Sequence, residues 1–239
     1  MKKRTIWITV TSIFAIILIL AISGMVYATR YANTIAASQQ HTATGAIKVT
    51  ETPISTHSAS TLQTFQIVPA QTTASYSVFE DLIFQNKPNN DAIGTTHSVT
   101  GSFQAQTGAS PLIAGMNIKI DLRTLQSDSS MRDGHVQDAL DTSTYPYATF
   151  VSVSTQGLPP NYTDGQTISF KLLGNLTMHG KTNGETFAVQ GKVVGNTITG
   201  TATSTIYMTD FGIQPPDLAN IAIVQNKVTI SLQFTATNS

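Results

Sequence analysis

The stretch Ile118–Val151, IKIDLRTLQSDSSMRDGHVQDALDTSTYPYATFV, holds two strand patterns separated by a polar connection. Every second residue from Ile118 to Leu122 is apolar, which is typical of a strand with one buried face. A short helix is predicted from Ser130 to Leu140, and a second strand begins after Pro146. We therefore expect two strands of one sheet, joined by a covering connection at residues 123–146, which we call the lid.

The same period-two alternation recurs on both sides of this stretch. It is seen at residues 65–67, 76–78, 94–106, 116–122, 147–153, 166–178, 182–194, 197–207 and 228–234. Residues 85–90 (QNKPNN) have the composition of a loop, and Gly101 and Gly174 interrupt two strands where a bend or bulge is expected. About eight antiparallel strands with short connections and one helical lid predict an all-β fold, either a closed barrel or a sandwich.

The composition excludes several classes of protein. Charged residues make up 11% of the 239 residues and the formal net charge is +0, whereas a nucleic-acid partner requires a clustered basic surface. The chain has no cysteine, so disulfides, thiolate metal sites and cysteine nucleophiles are excluded. The length suits one domain with an extension.

The N-terminal quarter has a different composition. Residues 1–5 contain a basic tail, and residues 6–28 are nearly all apolar and uncharged, which predicts a transmembrane helix of about 20 residues. Residues 29–61 are rich in Ser, Thr, Ala and Gln and predict a flexible stalk. The barrel domain is predicted at residues 62–239.

The basic tail predicts the orientation of this anchor. Lys2, Lys3 and Arg4 should stay in the cytoplasm under the positive-inside rule, which places the barrel domain outside the cytoplasm on a single-pass cell-membrane protein. A cleavable signal peptide is the alternative, with cleavage after Ala28 and a secreted product. The apolar run is longer than the about 7–15 residues of a signal-peptide core, which favours the uncleaved anchor.

The lid carries the charged residues that most resemble a catalytic set. His135 lies near Arg132 and Asp133, but residues two apart on a helix do not face each other. We therefore expect Arg132 and Asp133 to hold the lid in place by hydrogen bonds to the backbone or to each other. The sequence lacks the helical zinc-protease, nucleophile-elbow, dinucleotide-binding and P-loop motifs, so no enzyme activity and no metal site are predicted.

Four sequence blocks occur in an order that resembles the YceI-like family of lipid- and polyisoprenoid-binding proteins. They are DLRTL, SDSSMRDGHVQDALDTSTYP, LLGNLTMHGKT and MTDFGI, and the resemblance extends from Phe65 to the C-terminus. It implies an elongated, lipocalin-like antiparallel barrel that holds an isoprenoid chain lengthwise. It also implies a lipid ligand, for example a quinone, for sequestration, carriage or stress buffering. The Asp210-Phe211-Gly212 block then belongs to a turn with a packed Phe211.

The inward-facing apolar side chains are the predicted cavity lining. They are Val99, Phe103, Ile118, Ile120, Leu122, Phe150, Ile168, Phe170, Leu172, Leu176, Val228, Ile230, Leu232 and Phe234, with Arg132, Asp133 and His135 in the lid. No cofactor is expected beyond a bound isoprenoid lipid or quinone. The interior of a small barrel is either filled by side chains or left open for one ligand, so a structural or adhesive module with a filled barrel is the alternative function. The sequence does not decide whether two copies of the protein form a homodimer.

Overall fold

A computed structural model describes residues 62–83, 85–218 and 221–238. Its elements are, in chain order, β1 (Gln63–Ile67), β2 (Thr73–Leu82), β3 (Lys87–Thr96), β4 (Val99–Gln106), β5 (Leu112–Asp121), α1 (Ser130–Ala139), β6 (Tyr147–Gln156), β7 (Ile168–Met178), β8 (Lys181–Val194), β9 (Thr197–Tyr207), β10 (Asp217–Leu218) and β11 (Ala222–Asn238). Short 3-10 turns lie at Pro69–Gln71, Leu122–Thr124 and Met208–Phe211. Within the described part of the chain, the fold is all-β with one α-helix, as predicted.

The predicted basic tail, transmembrane helix and stalk, residues 1–61, lie outside the described residues. Across residues 62–83, 85–218 and 221–238, no helix has both the length and the apolar character that crossing a bilayer requires.

Eight antiparallel strands form a closed ring, in the order β1, β4, β5, β6, β7, β8, β9 and β11. The short strand β1 closes it, because Phe65 pairs with Phe103 of β4 on one side and with Asn238 of β11 on the other. Strand β2 pairs with the N-terminal part of β11, and β3 extends the sheet from β2. The choice left open between barrel and sandwich is thus decided in favour of the closed barrel.

Bulges next to two glycines bend this sheet. The pairing of β4 with β5 shifts between Ser102 and Gln104, directly after Gly101. The pairing of β6 with β7 shifts between Ser152 and Ser154, where Ser152 is opposite Gly174. Extra residues at such shifts increase the local bend and twist of a strand, which a closed barrel needs. The predicted bend positions are confirmed.

Two tight hairpins connect neighbouring strands of the barrel. Met178 pairs with Lys181 across His179-Gly180, and Val194 pairs with Thr197 across Gly195-Asn196. Each loop has two residues, the length that matches the twist of antiparallel strands. The predicted turn at Asp210-Phe211-Gly212 is confirmed as well, because Phe211 is fully buried at the end of a 3-10 turn.

The sequence interpretation was wrong for the segment around β3. Residues 85–90 were expected to form a loop, but β3 begins at Lys87, and the predicted single strand at 94–106 is divided between β3 and β4. Strand β3 lies at the end of the sheet order, and its first residues are exposed on both faces. Proline and asparagine are tolerated in such an edge strand, so loop-like composition does not prevent pairing there.

The barrel interior holds two main groups of buried side chains. One surrounds Phe65, Phe103 and Phe234, whose rings are stacked or edge-to-face at centroid distances of 5.7 and 6.3 Å. The other contains Phe150 and Phe187, edge-to-face at 5.0 Å. Aromatic pairs in these geometries add about 0.5–1.5 kcal/mol each beyond the burial of their surface. The second group borders a large unfilled space.

Helix α1 carries a glycine in its middle turn that the fold does not need. A Cβ added at Gly134 would contact nothing within 4 Å, whereas glycine in a helix interior costs about 0.5–1 kcal/mol relative to alanine. We expect Gly134→Ala to raise the free energy of unfolding by about that amount, as measured by urea denaturation of the purified protein.

Gly165 provides a matched control, which separates the effect of backbone conformation on stability from the effect of available space. A Cβ at Gly165 would also meet nothing within 4 Å, but Gly165 has a φ of +82°. Gly165→Ala should therefore destabilise the protein by about 1–2 kcal/mol. A loss of stability in Gly134→Ala would contradict the assignment of an unstrained helix at this position.

Candidate functional site

A large cavity occupies the barrel interior beneath the lid, with a volume of about 520 Å³. Most of its wall is apolar and comes from inward-facing residues of β2, β5, β6, β7, β9 and β11, with α1 above. Ligand pockets have volumes of about 300–1,000 Å³ and mainly apolar walls. In size and wall chemistry this cavity can hold a large apolar molecule.

A second, smaller cavity continues along the barrel toward β1. Its volume is about 80 Å³, and the same five side chains line both cavities: Met116, Ile118, Leu172, Ala202 and Leu232. We call these five residues the waist. Because these five side chains border both spaces, the two cavities are neighbours and the waist separates them. Met116 is unbranched and adaptable, which suits such a position.

The predicted lining residues divide between these two cavities. The main cavity is bordered by Ile118, Ile120, Leu122, Phe150, Leu172, Leu176, Val228, Ile230 and Leu232. The second cavity is bordered by Phe103, Ile168 and Phe170, by Phe234, and by the three waist residues Ile118, Leu172 and Leu232. Val99 differs from the rest, because it is fully buried in the core near β1 and lines neither cavity.

Sequence reasoning left out several strands that line the main cavity. Strand β2 contributes Ala74, Tyr76, Val78 and Glu80, and β9 contributes Ala202 and Ile206. The signal on β2 was readable, because Glu80 continues the apolar row of Tyr76 and Val78 at a spacing of two. A carboxylate is seldom fully buried without a partner. The small side chains of β9 gave no comparable signal.

The partner of Glu80 is Arg132 of the lid. Arg132 Nη2 donates to Glu80 Oε1 at 2.8 Å, and Asn90 Nδ2 of β3 donates to the same oxygen at 3.0 Å. The side chain of Glu80 is 6% exposed and that of Arg132 is 17% exposed. Arg132 also forms an ion pair with the exposed Asp128. Removal of one partner of a buried ion pair lowers stability by several kcal/mol, because the other charge is left buried and unpaired. This contact therefore holds α1 against β2.

Other lid residues hold α1 in place through contacts within the lid and with the cavity wall. Asp133 Oδ1 accepts hydrogen bonds from the backbone N–H and the hydroxyl of Ser127, at 2.8 and 2.7 Å. Ser129 caps the helix by accepting from the backbone N–H of Arg132. On the inner face, Val136 and Leu140 border the main cavity and pack on its apolar wall. Charges fix the start of α1, and apolar contacts fix its end.

Three histidines lie within the described residues, and there none of them is hydrogen-bonded to a carboxylate. His135 borders the main cavity and has neither a hydrogen bond nor an ion pair with Asp133 in this part of the chain. His97 Nδ1 donates to the carbonyl of Thr72 at 2.8 Å, and His179 Nδ1 donates to the carbonyl of Phe211 at 3.1 Å. Across the same residues, no three His, Asp or Glu side chains are grouped as metal ligands.

The mouth of the main cavity lies at the end nearest the lid. Its border includes the exposed Met131 of α1, Gln85 and Lys87 of the β2–β3 hairpin, and Ile221 before β11. These residues come from three separate segments. The exposed part of the cavity border, its mouth, is therefore formed by the lid and two strand connections.

Sequence relatives cover about half of the chain. A UPF0312 protein from Shewanella sp. strain ANA-3 is 28% identical over 144 residues, which is 55% of this chain and 70% of that protein. A UPF0312 protein from Shewanella baltica is 29% identical over 132 residues, 51% of this chain and 64% of that protein.

Two solved structures share the fold. BcnA from Burkholderia cenocepacia superimposes with a TM-score of 0.53 at 22% identity, covering 72% of this chain and 99% of that one. A polyisoprenoid-binding domain from Saccharophagus degradans, implicated in plant cell wall breakdown, gives a TM-score of 0.57 at 14% identity, covering 75% and 100%. The YceI-like domain model matches residues 65–236. Over these residues, which include all or most of every strand in the closed ring, the chain belongs to the YceI-like domain family.

Proposed function

We propose that this protein is a binding protein for a long-chain lipid of the isoprenoid type and carries out no chemistry on it. The observation that carries the proposal is the cavity of about 520 Å³ with a mainly apolar wall inside a closed barrel. The named ligand class of the Saccharophagus domain, a polyisoprenoid, and the family membership support the same ligand class here.

The energetics favour a chain over a compact ligand. Burial of each CH₂ contributes about 0.8 kcal/mol, so an isoprene unit of five carbons contributes about 3–4 kcal/mol on the same scale. Association costs about 4–15 kcal/mol. Five units contribute about 15–20 kcal/mol and can therefore offset even the upper end of that cost without any charged anchor. Such a chain would extend along the barrel axis toward the waist and the second cavity.

The alternative, a structural or adhesive module with a filled barrel, is less favoured by the geometry. A filled core has few voids larger than a water molecule, and an engineered apolar cavity of about 150 Å³ already binds benzene. The main cavity is more than three times that size. An interior this large lowers stability unless a ligand fills it.

We infer from residues 1–61 that the barrel is held at the outer face of the cytoplasmic membrane. The uncharged apolar run at 6–28 follows a basic tail and precedes a polar stalk, which together support a signal-anchor with the barrel outside. The lipid would then be buffered or sequestered close to the bilayer that supplies it. N-terminal sequencing of the mature protein tests this arrangement, because a start at Thr29 would show a cleaved, secreted form.

Co-purification tests the binding function. The full-length protein, purified from bacterial membranes in mild non-ionic detergent, should give a lipid adduct in native mass spectrometry. Organic extraction should recover that lipid at a higher molar ratio than in the total membrane extract, which controls for bulk carry-over. A folded protein of apo mass with no enriched lipid would contradict the proposal.

A further inference from the structure

The lid forms part of the exposed border of the main cavity. Met131, His135 and Val136 of α1 border the cavity, as do Ala139 and the following Leu140. The other exposed border residues belong to the β2–β3 hairpin and to the segment before β11. A ligand that enters or leaves through this mouth therefore passes the lid.

Helix α1 is less buried than the strands it covers. None of its ten residues is buried, whereas every strand of the closed ring, and β2 and β3 beside it, contains buried residues. An isolated helix of fewer than about 12 residues is only marginally stable in water, so α1 depends on its contacts with the wall. Segments with few buried apolar contacts open locally at a lower free-energy cost than global unfolding. We therefore expect α1 to open while the barrel stays folded.

The barrel holds the chain on both sides of α1. Before the helix, Thr95 of β3 and Gln126 exchange two backbone hydrogen bonds, at 2.8 and 3.0 Å. After the helix, Thr142 is buried, with 6% of its surface exposed. These two attachments confine the opening to residues 127–141, which return to the same place when α1 forms again.

One buried ion pair connects α1 to the wall. In the described part of the chain, Arg132 with Glu80 is the only ion pair between α1 and a strand. Asn90 of β3 donates to the same carboxylate oxygen at 3.0 Å. By contrast, Gly134 in the middle turn lowers helix stability at a position where a methyl group would fit. The helix thus combines one strong attachment with a middle turn that unfolds easily.

We propose that α1 is a gate for ligand exchange, which opens by local unfolding within residues 127–141 and is held shut by the Glu80–Arg132 ion pair. The fraction of molecules in which α1 is open then sets how fast the ligand enters and leaves the cavity. This inference rests on the proposed lipid-binding function and adds to it the step that controls the rate of exchange.

A gate has a kinetic signature that a residue of the cavity wall lacks. Since the ligand passes only while α1 is open, the entry and exit rates change by the same factor, and their ratio, the dissociation constant, stays nearly constant. A residue that only contacts the bound ligand changes mainly the exit rate, and with it the dissociation constant. The two rates measured together therefore separate these roles.

The test uses two variants that should shift the gate in opposite directions. Glu80→Gln keeps the shape of the side chain but removes its charge, and charge-assisted hydrogen bonds are about twice as strong as neutral ones. Both rates should rise about tenfold, which corresponds to about 1.4 kcal/mol. Gly134→Ala changes a residue outside the cavity border and stabilises α1, so both rates should fall about two- to fivefold. The dissociation constant should change by less than about threefold in either variant.

The rates are measured by stopped-flow quenching of tyrosine fluorescence, with a quinone of four isoprene units and the delipidated full-length protein at a fixed detergent concentration. Hydrogen exchange of the α1 amides measures the open fraction independently of any ligand. It should be fastest in Glu80→Gln and slowest in Gly134→Ala. Exchange of these amides only through global unfolding would contradict the gate.

Two control variants match these changes at positions away from α1. Asp91→Asn removes a carboxylate charge from an exposed residue of β3, and Gly184→Ala adds a methyl group on β8 where nothing lies within 4 Å. Neither control should change either rate. Gly134→Ala is expected to be more stable than the unmodified protein, so it tests the gate even if Glu80→Gln does not fold.

The possible results separate the gate from the binding function. If Glu80→Gln raises the exit rate and the dissociation constant by the same factor, Glu80 acts as a wall residue and the gate is wrong. If the unmodified protein binds the quinone and neither rate responds to Gly134→Ala, lipid binding stands and the gate is wrong. If the unmodified protein does not bind the quinone, the lipid-binding function is wrong, and the gate with it.

Discussion

Leu172→Trp is expected to abolish binding of long isoprenoid chains, with a loss of affinity of at least about 100-fold, equivalent to about 3 kcal/mol. Leu172 is buried and belongs to the waist between the two cavities. An indole at this position would occupy the passage and part of both spaces. The chain would then lose the buried surface that drives its association.

Chain length is the readout that links this effect to the waist. A quinone with one isoprene unit needs only the main cavity near the lid, so its affinity should fall by less than about threefold, or below about 0.7 kcal/mol. A quinone with eight or more units should lose binding. Isothermal titration or intrinsic fluorescence quenching of the full-length protein would measure both. Equal losses for the two quinones would contradict the lengthwise placement of the chain.

A matched tryptophan on the outside separates occlusion from general destabilisation. Val153 of β6 is 71% exposed, and Val153→Trp should leave both affinities unchanged. Leu172→Trp will also lower stability by about 1–3 kcal/mol through overpacking, so circular dichroism must show that it stays folded at the assay temperature. Unchanged long-chain binding by folded Leu172→Trp would contradict the assigned cavity.

Much of the barrel could be predicted because its strands follow simple alternation. On β7, Leu172, Gly174 and Leu176 are buried at a spacing of two, so one buried face was readable from the sequence. The helix was readable for a similar reason, since Ser129 provides a cap directly before it. Both signals come from residues that are close together in the sequence, so they can be recognised without knowledge of the tertiary structure.

What could not be predicted depends on contacts distant in sequence. Ring closure needs Phe65 opposite both Phe103 and Asn238, and no local pattern encodes that pairing. The ion pair of Glu80 with Arg132 joins residues 52 positions apart. The cavity itself depends on how far side chains from opposite walls extend toward each other. Alternation identifies which residues face inward, but it does not show whether they meet.

Gly101→Ala is expected to be the most destabilising single methyl addition in the barrel. A Cβ at Gly101 would lie 2.2 Å from the carbonyl oxygen of Asn117 and 2.9 Å from Cα of Ile118, both backbone atoms of β5. The φ of +150° at Gly101 is also one that residues with a side chain rarely adopt. Backbone strain costs about 1–3 kcal/mol and overpacking about 1–3 kcal/mol more, so we expect a loss of about 4 kcal/mol.

The matched control for this prediction is Gly184→Ala on β8, where an added Cβ would meet nothing within 4 Å. It should change the free energy of unfolding by less than about 0.5 kcal/mol, as measured by urea denaturation alongside Gly101→Ala.

Because domains of this size are stable by only about 5–15 kcal/mol, a loss of about 4 kcal/mol in Gly101→Ala would remove a large share of the total. Strand β4 would have to move away from β5, beside the bulge that bends the barrel wall. If Gly101→Ala were as stable as Gly184→Ala, the close approach of these two strands would be wrong, and so would the barrel curvature that shapes the cavity.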